Sequence, residues 1–110
     1  MSRKLWELEP DEILAEQERR GDAYVLALDA EMRAEASHKR LEAGIYKALR
    51  AEGLSIRDAE MSTREREEHA ESLADLISKQ IAAQRARLDL DRAKDARSLY
   101  QTVCADRRKI

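Results

Sequence analysis

From Pro10 to the end of the chain the apolar positions follow a helical period, and no second proline interrupts them. Proline just inside the start, followed by Asp11 and Glu12, marks a helix N-terminus, where acids complement the exposed N–H groups. The pattern Leu41, Ile45, Ala48, Leu49 carries that helix to about residue 52. Gly21-Asp22 is a point where it can kink, and Gly44 reads as a small residue at a close helix contact. Gly53 fits the left-handed position that ends a helix, with Leu54 supplying the accompanying apolar contact. Ser55 to Asp58 and Ser62 to Glu65 both have the spacing of a capping box. The sequence therefore predicts a lead-in over 1–9 in which Leu5, Trp6 and Leu8 fold back, and a first arm over 10–52. A turn over 53–61, a second arm over 62–106 and a tail over 107–110 follow.

The second arm carries two apolar flanks. Ile77, Leu88, Leu99 and Ile110 recur every 11 residues, with Ile81 and Val103 beside them and Arg92 interrupting. An 11-residue period favours a nearly straight or weakly right-handed contact. A weaker flank comprises Leu76, Ala83, Leu90, Ala93, Tyr100 and Cys104. Two flanks on one helix call for two helical neighbours.

Composition turns that requirement into an oligomer. The chain has 110 residues, 43% of them hydrophobic, with no Phe, one Trp and three Tyr. A lone helix pair of this kind has a thin core, and a short chain then needs a disulfide, a metal or a partner. Cys104 is the single cysteine, which excludes an internal disulfide and suits a reducing compartment. The fold class expected is all-α: a long antiparallel two-helix hairpin dimerising into a four-helix bundle or coiled-coil-like assembly. Its interface is assigned to Ile77, Ile81, Leu88, Leu99 and Val103. No apolar run is long enough to span a membrane and no secretory signal precedes the first helix, so a cytoplasmic location is expected.

Charge suggests one alternative activity. The net charge of −2 gives no global attraction to nucleic acid, but residues 85–110 hold eight cations against four acids. Residues 7–22 hold seven acids against two cations. The C-terminal arm is a candidate phosphate-contacting face through Arg85, Arg92, Lys94, Arg97, Arg107, Arg108 and Lys109. The simpler reading is that the acidic and basic ends lie side by side and set the pairing register. His38 and His69, on opposite arms, come out some 10 Å apart along the axis and read as surface residues; no CxxC or HExxH spacing indicates a metal. Cys104 reads as a buried small hydrophobe. Neither catalytic residues nor a cofactor is expected.

Arg50-Ala-Glu-Gly-Leu-Ser-Ile-Arg-Asp-Ala59, with the later run Ala96-Arg97-Ser-Leu-Tyr-Gln-Thr-Val-Cys-Ala-Asp-Arg107, resembles small helical proteins of tailed bacteriophages and prophages. The likeness covers residues 40–108; where those proteins read RSLN, this chain reads Arg97-Ser98-Leu99-Tyr100. The resemblance implies an accessory protein encoded among early recombination and replication genes, in a bacterial or phage-infected cell. The function expected is non-catalytic: self-association and binding of an unidentified phage or host protein through helical faces. Non-sequence-specific nucleic-acid binding is the alternative.

Overall fold

The computed structural model describes residues 9–108, with side chains to Ala105. Leu5, Trp6, Leu8, Lys109 and Ile110 lie outside them. Three helices hold nearly all of the described residues: α1 (Pro10–Ala51), α2 (Ile56–Glu65) and α3 (Glu67–Arg108). The protein is all-helical, as its residue pattern requires. α1 is helical straight through Gly21-Asp22.

The first connection is four residues long. Gly53 adopts φ 97°, the left-handed conformation only glycine reaches without strain. Its N–H donates to the Arg50 carbonyl at 3.0 Å and the Leu54 N–H to the Leu49 carbonyl at 3.3 Å. This nested pair satisfies carbonyls that the helix end would leave open. Ser55 then caps α2, its hydroxyl accepting from the Asp58 N–H at 3.2 Å. Of the two capping-box spacings, the earlier one starts the helix, so residues 56–61 are helical where a turn over 53–61 was expected.

The second break is at Arg66, extended at φ −68°, ψ 135°. The His69 and Ala70 N–H groups both donate to its carbonyl, and Glu67 and Glu68 occupy the first turn of α3. The second arm is therefore two helices, one from Ile56 and one from Glu67, instead of a single helix from residue 62.

Two compact units divide the chain, 28–82 and 1–27 with 83–110. In the first, α1 and α3 meet in opposite order: His38 contacts Ser72 and Glu42 contacts His69. Ala59 and Thr63 of α2 are buried there, and the Thr63 hydroxyl donates to the Ala59 carbonyl at 2.7 Å. In the second, the order is again opposed: Arg20 donates to the Asp89 carbonyl at 2.9 Å and Arg97 to Gln17 at 3.5 Å.

Protected positions on α1 include Ile13, Gln17, Arg20, Tyr24, Ala27, Glu31, Ala34, His38, Leu41, Ile45 and Leu49, a row in steps of three and four. On α3 they include His69, Ser72, Leu76, Ala83, Ala86, Leu90, Ala93, Tyr100 and Cys104. The inward side of α3 is thus the flank that looked weaker, and its mean step is nearer 3.5 residues than the 11-residue period. Alanines explain the choice, since small side chains let helix axes approach. Large buried apolar side chains are few: Ile13, Leu49 and Leu76 among the described residues.

Gly44 does not mediate a contact. It is exposed, and a Cβ there meets nothing within 4 Å. Gly44→Ala is therefore expected to stabilise the chain by about 0.5–1 kcal/mol, because alanine restricts the unfolded state without a clash. Urea denaturation checks this.

Surface charge adds little, with one readable pH effect. Glu16 accepts from Arg20 Nε at 2.7 Å and also from Arg19. The Arg20 hydrogen bond, then that of Arg19, holds the Glu16 carboxyl below its usual 4.5. A carboxyl lowered on folding contributes stability above its unfolded pKa, and the contribution disappears as pH falls through the folded value. Glu16→Gln should therefore flatten the stability profile below pH 4.5 and cost about 0.3–0.5 kcal/mol near neutrality. Thermal melts from pH 3 to 7 check both.

Candidate functional site

Within the unit 28–82, α1 and α3 build a histidine pair together. His38 and His69 are each only 8% exposed, with ring centroids 4.8 Å apart and planes tilted by 57°. This corrects their reading as separated surface residues. The cause is the short first connection: with residues 52–55 as the turn, its midpoint moves three to four residues toward the N-terminus. Each residue moved changes the relative register by two, or about 3 Å of helix, which brings the rings level.

Glu42, one turn after His38 on α1, joins both rings. Its Oε2 accepts from His69 Nε2 at 2.9 Å and lies 3.5 Å from His38 Nε2. The other ring nitrogen of His38, Nδ1, is 3.0 Å from Ser72 Oγ. Hydrogen bonding by His69, more than any other influence, holds the Glu42 carboxyl below the ordinary 4.5; burial opposes it, and the charges of His69, His38 and Arg64 assist. The Glu42 side chain is half exposed and opens onto a groove of about 340 Å³ lined also by Lys39, Ala43, Tyr46, Glu60, Thr63 and Arg64. His38, Glu42 and His69 each present one donor atom, all within 4.8 Å of one another.

The residues assigned to an interface lie elsewhere on α3. Ile77, Ile81, Leu88, Leu99 and Val103 are 40% to 57% exposed. Intermittent exposed leucines are ordinary on a soluble protein, but a row of them along one helix is not.

Among the described residues, the candidate phosphate contacts Arg85, Arg92, Lys94 and Arg97 do not share one face. At about 100° per residue, Arg85 and Arg92 fall on the apolar-stripe side of α3 and Lys94 on the far side. Arg97 turns toward Gln17 of α1, and Arg92 lies 3.8 Å from Asp89. The side chains of Arg107 and Arg108, and all of Lys109, lie outside the described residues. On the acidic arm, Glu16 is held by arginines of its own helix.

Cys104 is half-buried in a second groove, of about 370 Å³, with Pro10, Ile13, Leu14 and Tyr100. Among the described residues, no helix is long and apolar enough to cross a membrane. Comparison with protein-family models, curated proteins and solved structures gave no match to the chain.

Proposed function

We propose that the protein is a non-catalytic helical interaction module whose working surface is the apolar stripe of α3 and whose first partner is a second copy of itself. The observation that carries this reading is the symmetry of the stripe. An isologous two-fold contact requires residue i to meet j and j to meet i. About residue 90, Ile77 corresponds to Val103 and Ile81 to Leu99, while Leu88 corresponds to Arg92. Arg85 corresponds to Asp95, so an antiparallel pairing of two α3 helices sets opposite charges across the same axis.

Charge along α3 supports the same orientation. Glu67, Glu68, Glu71 and Asp75 crowd its beginning, whereas residues 85–110 are net basic. Antiparallel copies place each acidic start beside a basic end. In this reading α1 forms one arm of an antiparallel hairpin and α2 with α3 the other, and two copies make a four-helix assembly. Arg92, which looked like a defect in the stripe, becomes the cap over the Leu88 of the second copy, its aliphatic stem covering apolar surface. The accessory role implied by the phage resemblance then consists of binding, with the faces left over free to meet a further protein.

Spin labels test the orientation. Gln84→Cys labelled in a Cys104→Ser background places two labels about 20–30 Å apart across the proposed axis, from helix rise and packing distance. A dipolar distance in that range is expected. Absence of any intermolecular dipolar signal at high concentration contradicts the pairing, and a much shorter distance contradicts its antiparallel sense.

A further inference from the structure

We propose that His38, Glu42 and His69 form a binding site for a divalent transition-metal ion of the zinc class. Two neutral imidazoles and one carboxylate are a recurrent donor set for such ions, leaving at least one position for water. Here they come from a one-turn His38/Glu42 pair on α1 and a single residue of α3, all within the unit 28–82.

Geometry supports the assignment. Bonds of about 2.0–2.2 Å in a tetrahedral arrangement separate neighbouring donors by about 3.3 Å. Glu42 Oε2 already lies 3.5 Å from His38 Nε2 and 2.9 Å from His69 Nε2. The second separation needs to open by only about 0.4 Å, within reach of a half-exposed glutamate side chain. An ion there replaces the hydrogen bond between His69 and Glu42, with the His69 proton carried on Nδ1 so that Nε2 can ligate.

Ser72 supplies an independent observation. Metal-ligating histidines characteristically fix the remote ring nitrogen on a neighbouring acceptor, which selects the tautomer and aims the ligating nitrogen. Ser72 Oγ sits 3.0 Å from His38 Nδ1; with the hydroxyl oxygen accepting there, Nε2 presents its lone pair toward Glu42. Beside the two buried rings, Glu42 opens outward, onto the groove that it shares with Tyr46, Glu60 and Arg64. That groove gives the ion its entry path and the remaining coordination position its water. Hard cations such as magnesium, which prefer all-oxygen shells, fit this nitrogen-rich set poorly.

Calorimetric titration of the chelator-treated full chain with zinc chloride at pH 7.5 tests the proposal, with cobalt(II) as an absorbing probe of the same site. One ion per chain, bound at about 1 µM or tighter, and a visible cobalt spectrum of four- or five-coordinate type are expected. His69→Gln should weaken binding at least 100-fold. Ser72→Ala should weaken it about 10-fold or more, with circular dichroism unchanged, and this second variant stands if the first does not fold. Glu42→Gln, at a half-exposed position, should weaken it to a degree between the two. No saturable binding, binding that Ser72→Ala and Glu42→Gln leave unaltered, or equal affinity for magnesium would overturn the site.

Discussion

Leu76→Ala should destabilise the chain by about 2–5 kcal/mol, the range for emptying a buried leucine site in a packed interior. Leu76 belongs to the small set of large apolar side chains that are buried in the chain itself, together with Ile13 and Leu49. Much of the remaining core is alanine, which cannot expand to fill a cavity. A folded domain retains only about 5–15 kcal/mol, so the loss takes a large share of it. The expected urea result is a lower midpoint with an unchanged slope, and the shift should not depend on protein concentration. Ile77→Ala, one residue along but on the exposed stripe, should show a concentration-dependent shift instead. A Leu76→Ala cost under about 1 kcal/mol would show that α1 and α3 do not pack as described.

Replacing both Ile81 and Leu99 by glutamate should dissociate the proposed dimer while the chain stays helical. Both residues are exposed in the single chain, so the carboxylates meet water there. In the assembly position 81 of one copy faces position 99 of the other, so like charges would be buried against each other, at a cost of several kcal/mol. Dimer affinity should fall by more than about 100-fold, equivalent to some 2.7 kcal/mol. A gentler pair of variants tests the register. Arg85→Asp should weaken association by setting like charges opposite each other, and adding Asp95→Arg should restore it. Failure of the double variant to recover would shift the axis away from residue 90.

What was legible in the sequence was mostly local. The end of α1 followed from Gly53 and Leu54, because a left-handed glycine and the two hydrogen bonds around it involve only the six residues 49–54. The cap at Ser55 was visible too, but so was an equal spacing at Ser62, and nothing local decided between them. The break at Arg66 carried no glycine or proline; only Glu67 and Glu68, acids suited to a first turn, hinted at a new start. That ambiguity displaced the turn midpoint and separated two histidines that in fact touch. A few residues of register are enough to hide a polar cluster from any reading by spacing alone. Gly44 shows a related limit: its neighbours are strongly patterned, yet the glycine itself faces open space.

The choice of inward flank on α3 was a non-local matter. Ile77, Ile81, Leu88, Leu99 and Val103 are the stronger hydrophobes, and ranking by size favours them for the first contact. The helix pair instead closes on Ala83, Ala86 and Ala93, whose small side chains let helix axes approach. The bulkier row is left outside. Two apolar flanks were readable from the sequence, but which neighbour each serves depends on how near the axes come.

The most direct test of the account is the mass of the unmodified chain by light scattering on a sizing column, at concentrations from about 1 to 100 µM. The account predicts twice the 12.6 kDa chain mass across the upper part of that range, collapsing to one chain mass in the Ile81→Glu/Leu99→Glu variant. A native chain that elutes at a single chain mass throughout would contradict it.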